Sequence, residues 1–194
     1  MSNPLVLMLE RDNPCNTTIV NNETGELMYT VTTVHEKDSF TYLKDAKGGH
    51  IAHWKWRDIR SDVLTMGDAK PIPAGDWLQK SMVPFSSTVS FKDNKKRTFK
   101  WKNVEGGGQM ELYSSEDKKN PVAAFLKSLD YKDRTVDPPV PVHRDATLTL
   151  VGQAQEIINL VVISFLILEK KRRSKEAGEG TTASALATPL ANLQ

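Results

Sequence analysis

Short runs of alternating apolar and polar residues follow one another from the start of the chain to about residue 128, and each predicts a strand. They cover residues 5–9, 17–20, 27–34, 40–44, 50–56, 62–66, 77–80, 88–91, 98–102, 110–113 and 122–127, and 147–151 is the last. Turn-forming residues separate most of them, among them Asn21-Asn22, Lys47-Gly48-Gly49, Asp93-Asn94 and the glycines 106–108. Two runs show their faces. Ala52, Trp54 and Trp56 alternate with Ile51, His53, Lys55 and Arg57, and Phe99 and Trp101 alternate with Lys100 and Lys102. Both predict half-buried antiparallel strands with their aromatic residues inward, and 87–103 predicts a hairpin turning at Asp93-Asn94-Lys95-Lys96. Residues 129–145, with Pro138, Pro139 and Pro141, read as a surface connection.

A helix expected over 153–173 departs from this period. Between Ile157 and Leu168 ten of twelve residues are apolar, and only Asn159 and Ser164 interrupt them. They wrap around every side of a helix, so it must be buried in protein or in lipid. Twelve residues rise about 18 Å, whereas a bilayer's hydrocarbon core is about 30 Å thick. Gln153, Gln155 and Glu156 close one end, and Glu169-Lys170-Lys171-Arg172-Arg173 the other. No full transmembrane span is expected. The burial argument favours a β-barrel with this helix as its plug; the alternative is a protein anchored in a membrane by 157–168. The expected organisation is one domain over 1–175 and a disordered, Gly/Thr/Ser/Ala-rich tail over 176–194.

Charge changes the choice of partner. Of 26 basic and 24 acidic residues, five and three lie beyond Leu168, which leaves residues 1–168 with 21 of each. A neutral body argues against nucleic acid as the partner, because binders of that class carry basic charge on the folded face. The single cysteine, Cys15, excludes an intramolecular disulfide framework. No basic start followed by an apolar core marks the first thirty residues, so the expected location is intracellular, the cytoplasm first, with nucleus or membrane periphery as alternatives.

Several motifs recur in order along the chain. They are Asn13-Pro14-x-Asn16-Thr17-Thr18, Gly25-x-x-x-Tyr29, Ile51-x-x-Trp54, Phe99-x-Trp101 and Glu111-Leu112-Tyr113, and then Leu160-Val161-Val162-x-Ser164-Phe165 running into Glu169-Lys170-x-Arg172-Arg173. Over roughly residues 5–175 this order resembles a family of small domains of unknown function from mushroom-forming fungi. That family is similar in layout to the tubby C-terminal, plant LURP-one and phospholipid-scramblase domains. The resemblance implies a closed barrel of about twelve antiparallel strands threaded by a hydrophobic helix. It also implies a membrane-related role, since tubby-type domains bind phosphoinositides through basic residues and scramblases act at membranes. No lipid-contacting residue aligns, so none is carried over, and the palmitoylated cysteine cluster typical of scramblases is absent.

Candidate chemistry is sparse. His50 and His53, three apart on a strand, are expected on opposite faces and unable to chelate one ion. His35 and His143 are isolated, and nothing near Cys15 in sequence would activate a thiol. Asp58, Asp62, Asp68 and Asp76 have no calcium-loop spacing and read as solvated surface. No nucleophile elbow, phosphate-binding loop or dinucleotide fingerprint is present. No catalytic residue, cofactor or metal is therefore expected, although an enzyme with a site assembled from scattered residues stays open. Two basic groups remain. Lys95, Lys96, Arg97 and Lys100, with Lys102 beside them, could meet lipid phosphates or simply form a solvated hairpin edge. Lys170, Lys171, Arg172 and Arg173 complement the helix dipole at its C-terminal end and could also face an anionic surface. The leading expectation is a non-enzymatic binding or adaptor module whose partner is anionic phospholipid or another protein.

Overall fold

The structure, a computed structural model, describes residues 3–57, 60–83, 87–105 and 109–186. Asp58, the expected turn at 106–108 and residues 187–194 of the expected tail lie outside the described residues. Seven strands pair in order as one antiparallel meander: β1 (Leu5–Leu9), β2 (Thr17–Asn21), β3 (Leu27–His35), β4 (Ser39–Asp45), β5 (His50–Lys55), β6 (Val63–Met66) and β7 (Ile72–Pro73). After a single helical turn, α1 (Ala74–Trp77), a second meander follows. It contains β8 (Gln79–Lys80), β9 (Val89–Lys92), β10 (Thr98–Lys102), β11 (Met110–Ser114) and β12 (Ala123–Leu126). The late strand β15 (Ala146–Leu150) lies between β1 and β12 and pairs with both, Leu150 standing opposite Leu5 and Ala123. The two meanders thus become one sheet of thirteen strands.

The expected closed barrel of about twelve strands is corrected here. The protein is mostly β with a large antiparallel sheet and a C-terminal helix, but no ladder joins β7 to β8 and the sheet stays open there. The sequence at this edge supplies a reason. Pro73 ends β7 and has no backbone N–H to offer a further strand, and Pro71 stands just before it. The chain bridges the gap covalently through α1 instead.

Two further expectations change. Residues 129–145 are a ribbon of their own, β13 (Leu129–Asp133) paired with β14 (Val140–Arg144), and not a bare connection. Both of its strands are largely exposed, so no burial pattern marked them. The helix is also longer than expected and broken once. α2 (Gln153–Glu156) is one turn, entered through Gly152 at φ 51°, and α3 (Ile158–Leu186) follows after Ile157. Residues 176–186, placed in a disordered tail, are helical. Glu176 pairs with Lys127 at 2.7 Å and approaches Arg172 to 4.0 Å, which ties the extension to β12's end and to the turn before it.

The apolar part of α3 is the centre of the core. Val161 to Leu168 are each no more than 4% exposed. Phe165 packs on Phe125 of β12 with ring centres 4.4 Å apart. Its polar interruptions are both answered by the sheet. Ser164 Oγ accepts from the Trp101 indole of β10 at 2.9 Å and donates to the Val161 carbonyl, and Asn159 Oδ1 accepts from the Tyr29 hydroxyl of β3 at 2.8 Å. Burial, with Asp45 nearby, pushes Tyr29 up to about 12. Contacts from β3, β10 and β12, strands from both meanders, mean that the sheet curls around the helix. Among the described residues no helix is long and apolar enough to cross a membrane.

Two outcomes test this arrangement. Ser164→Ala leaves the buried Trp101 N–H without its acceptor and should cost about 1–3 kcal/mol in denaturant-induced unfolding. Amides of 161–168 should exchange with deuterium only through global unfolding, so their protection should fall with denaturant as steeply as overall stability does. Rapid exchange there would mean the helix is not enclosed.

Candidate anion-binding site

The structure separates the two basic groups. Lys95, Lys96 and Arg97 lie in the turn between β9 and β10, as the sequence predicts. Asp93 is buried and organises that turn. Its carboxylate accepts from the backbone of Lys95 at 2.9 Å and of Arg97 at 2.8 Å, and from Arg97 Nε at 2.7 Å. Burial pushes the Asp93 carboxyl up, but the Arg97 guanidinium and these N–H groups outweigh it and leave it below the usual carboxylate range. Arg97 also reaches Glu156 at 2.9 Å, and Lys95 lies 3.5 Å from the same carboxylate. Arg97 is therefore occupied in holding the hairpin to α2. Lys96, at φ 61°, is exposed and makes no ion pair among the described residues.

Lys170, Lys171, Arg172 and Arg173 belong to the other end of α3, about 20 Å away by helix rise. Arg172 is 3% exposed and pairs with the fully buried Glu169 at 2.7 Å. Arg173 bridges Glu169, at 2.7 Å, and Asp12, which also accepts from the Ser128 hydroxyl at 2.6 Å. Burial pushes Asp12 up, yet the hydrogen bonds from Ser128 and Arg173 prevail and leave its pKa lowered. Lys170 lies over the Trp56 ring, 4.2 Å from its centre, and Lys171 is exposed with its Nζ 4.0 Å from Asp62. Most of this cluster closes the end of the sheet around the helix.

Lys100 belongs to a different group. It projects from the outer face of β10, with Lys102 two residues on, and in register they stand opposite Tyr113 and Glu111 of β11. Lys102 Nζ lies 3.6 Å from the centre of the Tyr113 ring, whose hydroxyl donates to Glu111 at 2.8 Å. After β11 the chain turns back over this face. The Ser115 N–H donates to the Thr98 carbonyl, the Ser114 hydroxyl accepts from the Asp117 N–H, and the Asp117 carboxylate caps Lys119 and Asn120. That turn brings Lys118 to the same place. A cavity of about 230 Å³ results, lined by Thr98, Lys100, Lys102, Tyr113, Ser114, Ser115 and Lys118. Three ammonium groups and several hydroxyls with no carboxylate in the lining suit an oxyanion, and phosphate above all. Alternation in 98–102 announced Lys100 and Lys102 as outward neighbours. Lys118, Tyr113 and Ser115 went unnoticed because only the β10–β11 pairing and the following turn bring them there.

The remaining candidates resolve as follows. His50 and His53, expected on opposite faces, share one. The register slips between Leu43 and Lys44, where Ile51 is an extra residue in β5, and this bulge resets the alternation. His50 Nε2 and His53 Nδ1 lie 3.0 Å apart, and burial together with His50 lowers the pKa of His53. Burial pushes the Cys15 thiol above its usual value despite Lys170 and Arg173. Among the described residues no three His, Cys, Asp or Glu side chains are grouped to hold a metal ion.

An antiparallel sheet curled around a hydrophobic helix, with a lysine-and-hydroxyl cavity on its outer wall, defines the class of protein by form. Residues 12–174 match DUF6593, a family of unknown function, and the chain belongs to that family. No curated protein and no solved structure matches it.

Asp12 gives this end of the molecule a pH dependence. Its folded pKa is lowered, so its contribution is present above the unfolded carboxylate's pKa of about 3.9 and disappears as pH falls through the lower folded value. Asp12→Asn should therefore lower the denaturation midpoint at neutral pH, and the gap from the wild type should narrow as pH falls below about 3.9. A gap that persists unchanged at low pH would show that the carboxylate's charge is not what stabilises Arg173.

Proposed function

We propose that this protein is a non-enzymatic binding module that engages anionic phospholipid at a membrane surface, with a headgroup phosphate received by Lys100, Lys102 and Lys118. The observation that carries the reading is the convergence of these three lysines with Thr98, Ser115 and Tyr113 in one cavity. Lys100 and Lys118 are exposed and make no ion pair among the described residues, so their charge is available to a partner. The Thr98 and Ser115 hydroxyls supply the short-range donors that a phosphate's oxygens need and that lysines alone satisfy loosely, while the Tyr113 hydroxyl is committed to Glu111. Exposed Lys96, on the turn leading into β10, would add long-range attraction.

The layout supports the same reading. Strands around a hydrophobic helix agree with the likeness to tubby C-terminal, LURP-one and scramblase domains; membership in a family from mushroom-forming fungi rests separately on the motif order over residues 5–175. Burial of 161–168 favours a protein that meets the membrane from outside over one anchored by α3. The remaining Lys170–Arg173 cluster, largely paired internally, supports a structural role with only Lys171 turned outward.

Co-sedimentation with vesicles tests this. The protein should pellet with phosphatidylcholine vesicles that contain phosphatidic acid or a phosphoinositide, and not with phosphatidylcholine alone. At about 1 kcal/mol per charge, Lys100→Glu, Lys102→Glu and Lys118→Glu together should weaken binding by about a hundredfold or more. Raising salt to about 1 M, where the screening length is about 3 Å, should release the wild type. Binding unchanged by salt or by the triple substitution would rule the site out.

A further inference from the structure

The open edge of the sheet has a second consequence, at the end where α3 leaves the fold. A cavity of about 280 Å³ lies between α1, β8, the start of β9 and the segment after β10. Its floor is apolar. Leu78, Val89, Val104 and Leu168 line it, and none of them is more than 7% exposed. Its mouth is cationic, with Lys80, Lys171 and Lys175 around it and Arg172 below, held by Glu169. Glu105 is the one carboxylate in this lining, and it is shared by Lys80 and by Lys175 at 3.6 Å. A closed ladder between β7 and β8 would bring strands where α1 now stands, so the gap in the sheet and this cavity belong together.

An apolar floor beneath a net-positive mouth selects strongly among ligands. A small hydrated anion would leave the floor unfilled, and a neutral hydrocarbon would give the lysines nothing. We propose that the cavity takes the hydrocarbon chain of a single-chain anionic amphiphile, with its carboxylate or phosphate at Lys171 and Lys80. The volume falls just below the roughly 300–1,000 Å³ of ordinary small-molecule pockets, which suits one chain of medium length and excludes two. The segment that follows Lys80 points to where such a ligand comes from. Two and three residues after Lys80, Met82 is 99% exposed and Val83 66%, exposed apolar side chains of the kind that contact lipid. The proposal goes beyond the headgroup site on β10–β11 and does not depend on it, since the two share no residue.

The test titrates the full chain with dodecanoate and follows the heat of binding by calorimetry. Binding should saturate, and dodecanol should bind about tenfold less well because it brings no charge to the cationic mouth. Val104→Trp, which fills the floor, should abolish binding. Lys171→Glu should weaken it by about tenfold or more. Lauroyl-lysophosphatidic acid, titrated in the same way, separates the sources: tighter binding than dodecanoate assigns the site to a lysolipid, and the reverse order to a free fatty acid. The triple variant at Lys100, Lys102 and Lys118 should keep this binding while losing anionic vesicles, so the two readings fail independently. No saturable binding, or full binding by a Val104→Trp protein with wild-type circular dichroism, would overturn the proposal. Should that variant fail to fold, unchanged affinity of Lys171→Glu would overturn it equally.

Discussion

A helix that is apolar on every side has to be surrounded, and the rest of this structure follows from meeting that demand in water. One packed face would leave half of Val161–Leu168 exposed, whereas all eight are buried. A sheet is the economical wrapping, and geometry sets its size. Strands spaced about 4.8 Å apart give thirteen of them a width of about 60 Å, enough when curled to surround a space about 20 Å across without closing on itself. A helix with side chains is about 10–12 Å in diameter. The space left on each side is about one layer of inward side chains, here Leu7, Leu43, Trp54, Phe99, Trp101, Leu112, Phe125 and Leu148. Far fewer strands would not fit around the helix, and far more would leave voids.

Enclosure alone does not decide where along its axis the helix sits, because an apolar cylinder inside an apolar tube can slide. The polar groups on α3 decide it. Asn159 meets Tyr29, Ser164 meets Trp101, and Glu169 with Arg172 and Arg173 meets Asp12 at the exit. These contacts are spaced along about four turns of helix, and a slip of one turn, about 5.4 Å, would break them and separate the buried Ser164 from Trp101. The two interruptions in an otherwise apolar run are therefore register marks. The charged end belongs to the same device, since a buried Glu169–Arg172 pair adds little net stability by itself but penalises every wrong placement.

How much of this was legible depended on whether a residue's role repeats with the period of its element. The alternation in 98–102 and the all-round apolar run of 157–168 are both local patterns, and the antiparallel strands and the buried C-terminal helix are legible from them, though the closed barrel is not. Openness at β7 and β8 was not visible, because two-residue strands carry no period, although Pro71 and Pro73 were there to be weighed. The ribbon at 129–144 was missed since neither of its faces is buried. His50 and His53 show the converse error. The period-two rule was applied across a bulge, where one extra residue, Ile51, resets the alternation, and a bulge leaves no mark in a single sequence. Of the candidate site, Lys100 was named and Lys102 noticed beside it, but Arg97, Arg172 and Arg173 were grouped with them by charge alone. Sequence proximity cannot tell a cation that holds the fold from one that faces outward; only partners such as Asp93, Glu156, Glu169 and Asp12 make that distinction.

The same constraint explains why the outer wall is a good place for an anion site. Lysines side by side on a surface repel one another, and a flexible segment would relax by spreading them apart. On β10 and β11 that freedom is missing, because the inward residues of the two strands, Phe99, Trp101, Met110 and Leu112, are locked against the core. Lys100 and Lys102 are held two residues apart on one face, and the Tyr113 ring offsets part of the cost by lying under Lys102. An oxyanion bound there would relieve the repulsion that remains, and part of the cost of assembling such a site would be met by folding rather than by binding. Packing around one helix thus positions charges on the far side of the sheet, although no atom of that helix lines the site.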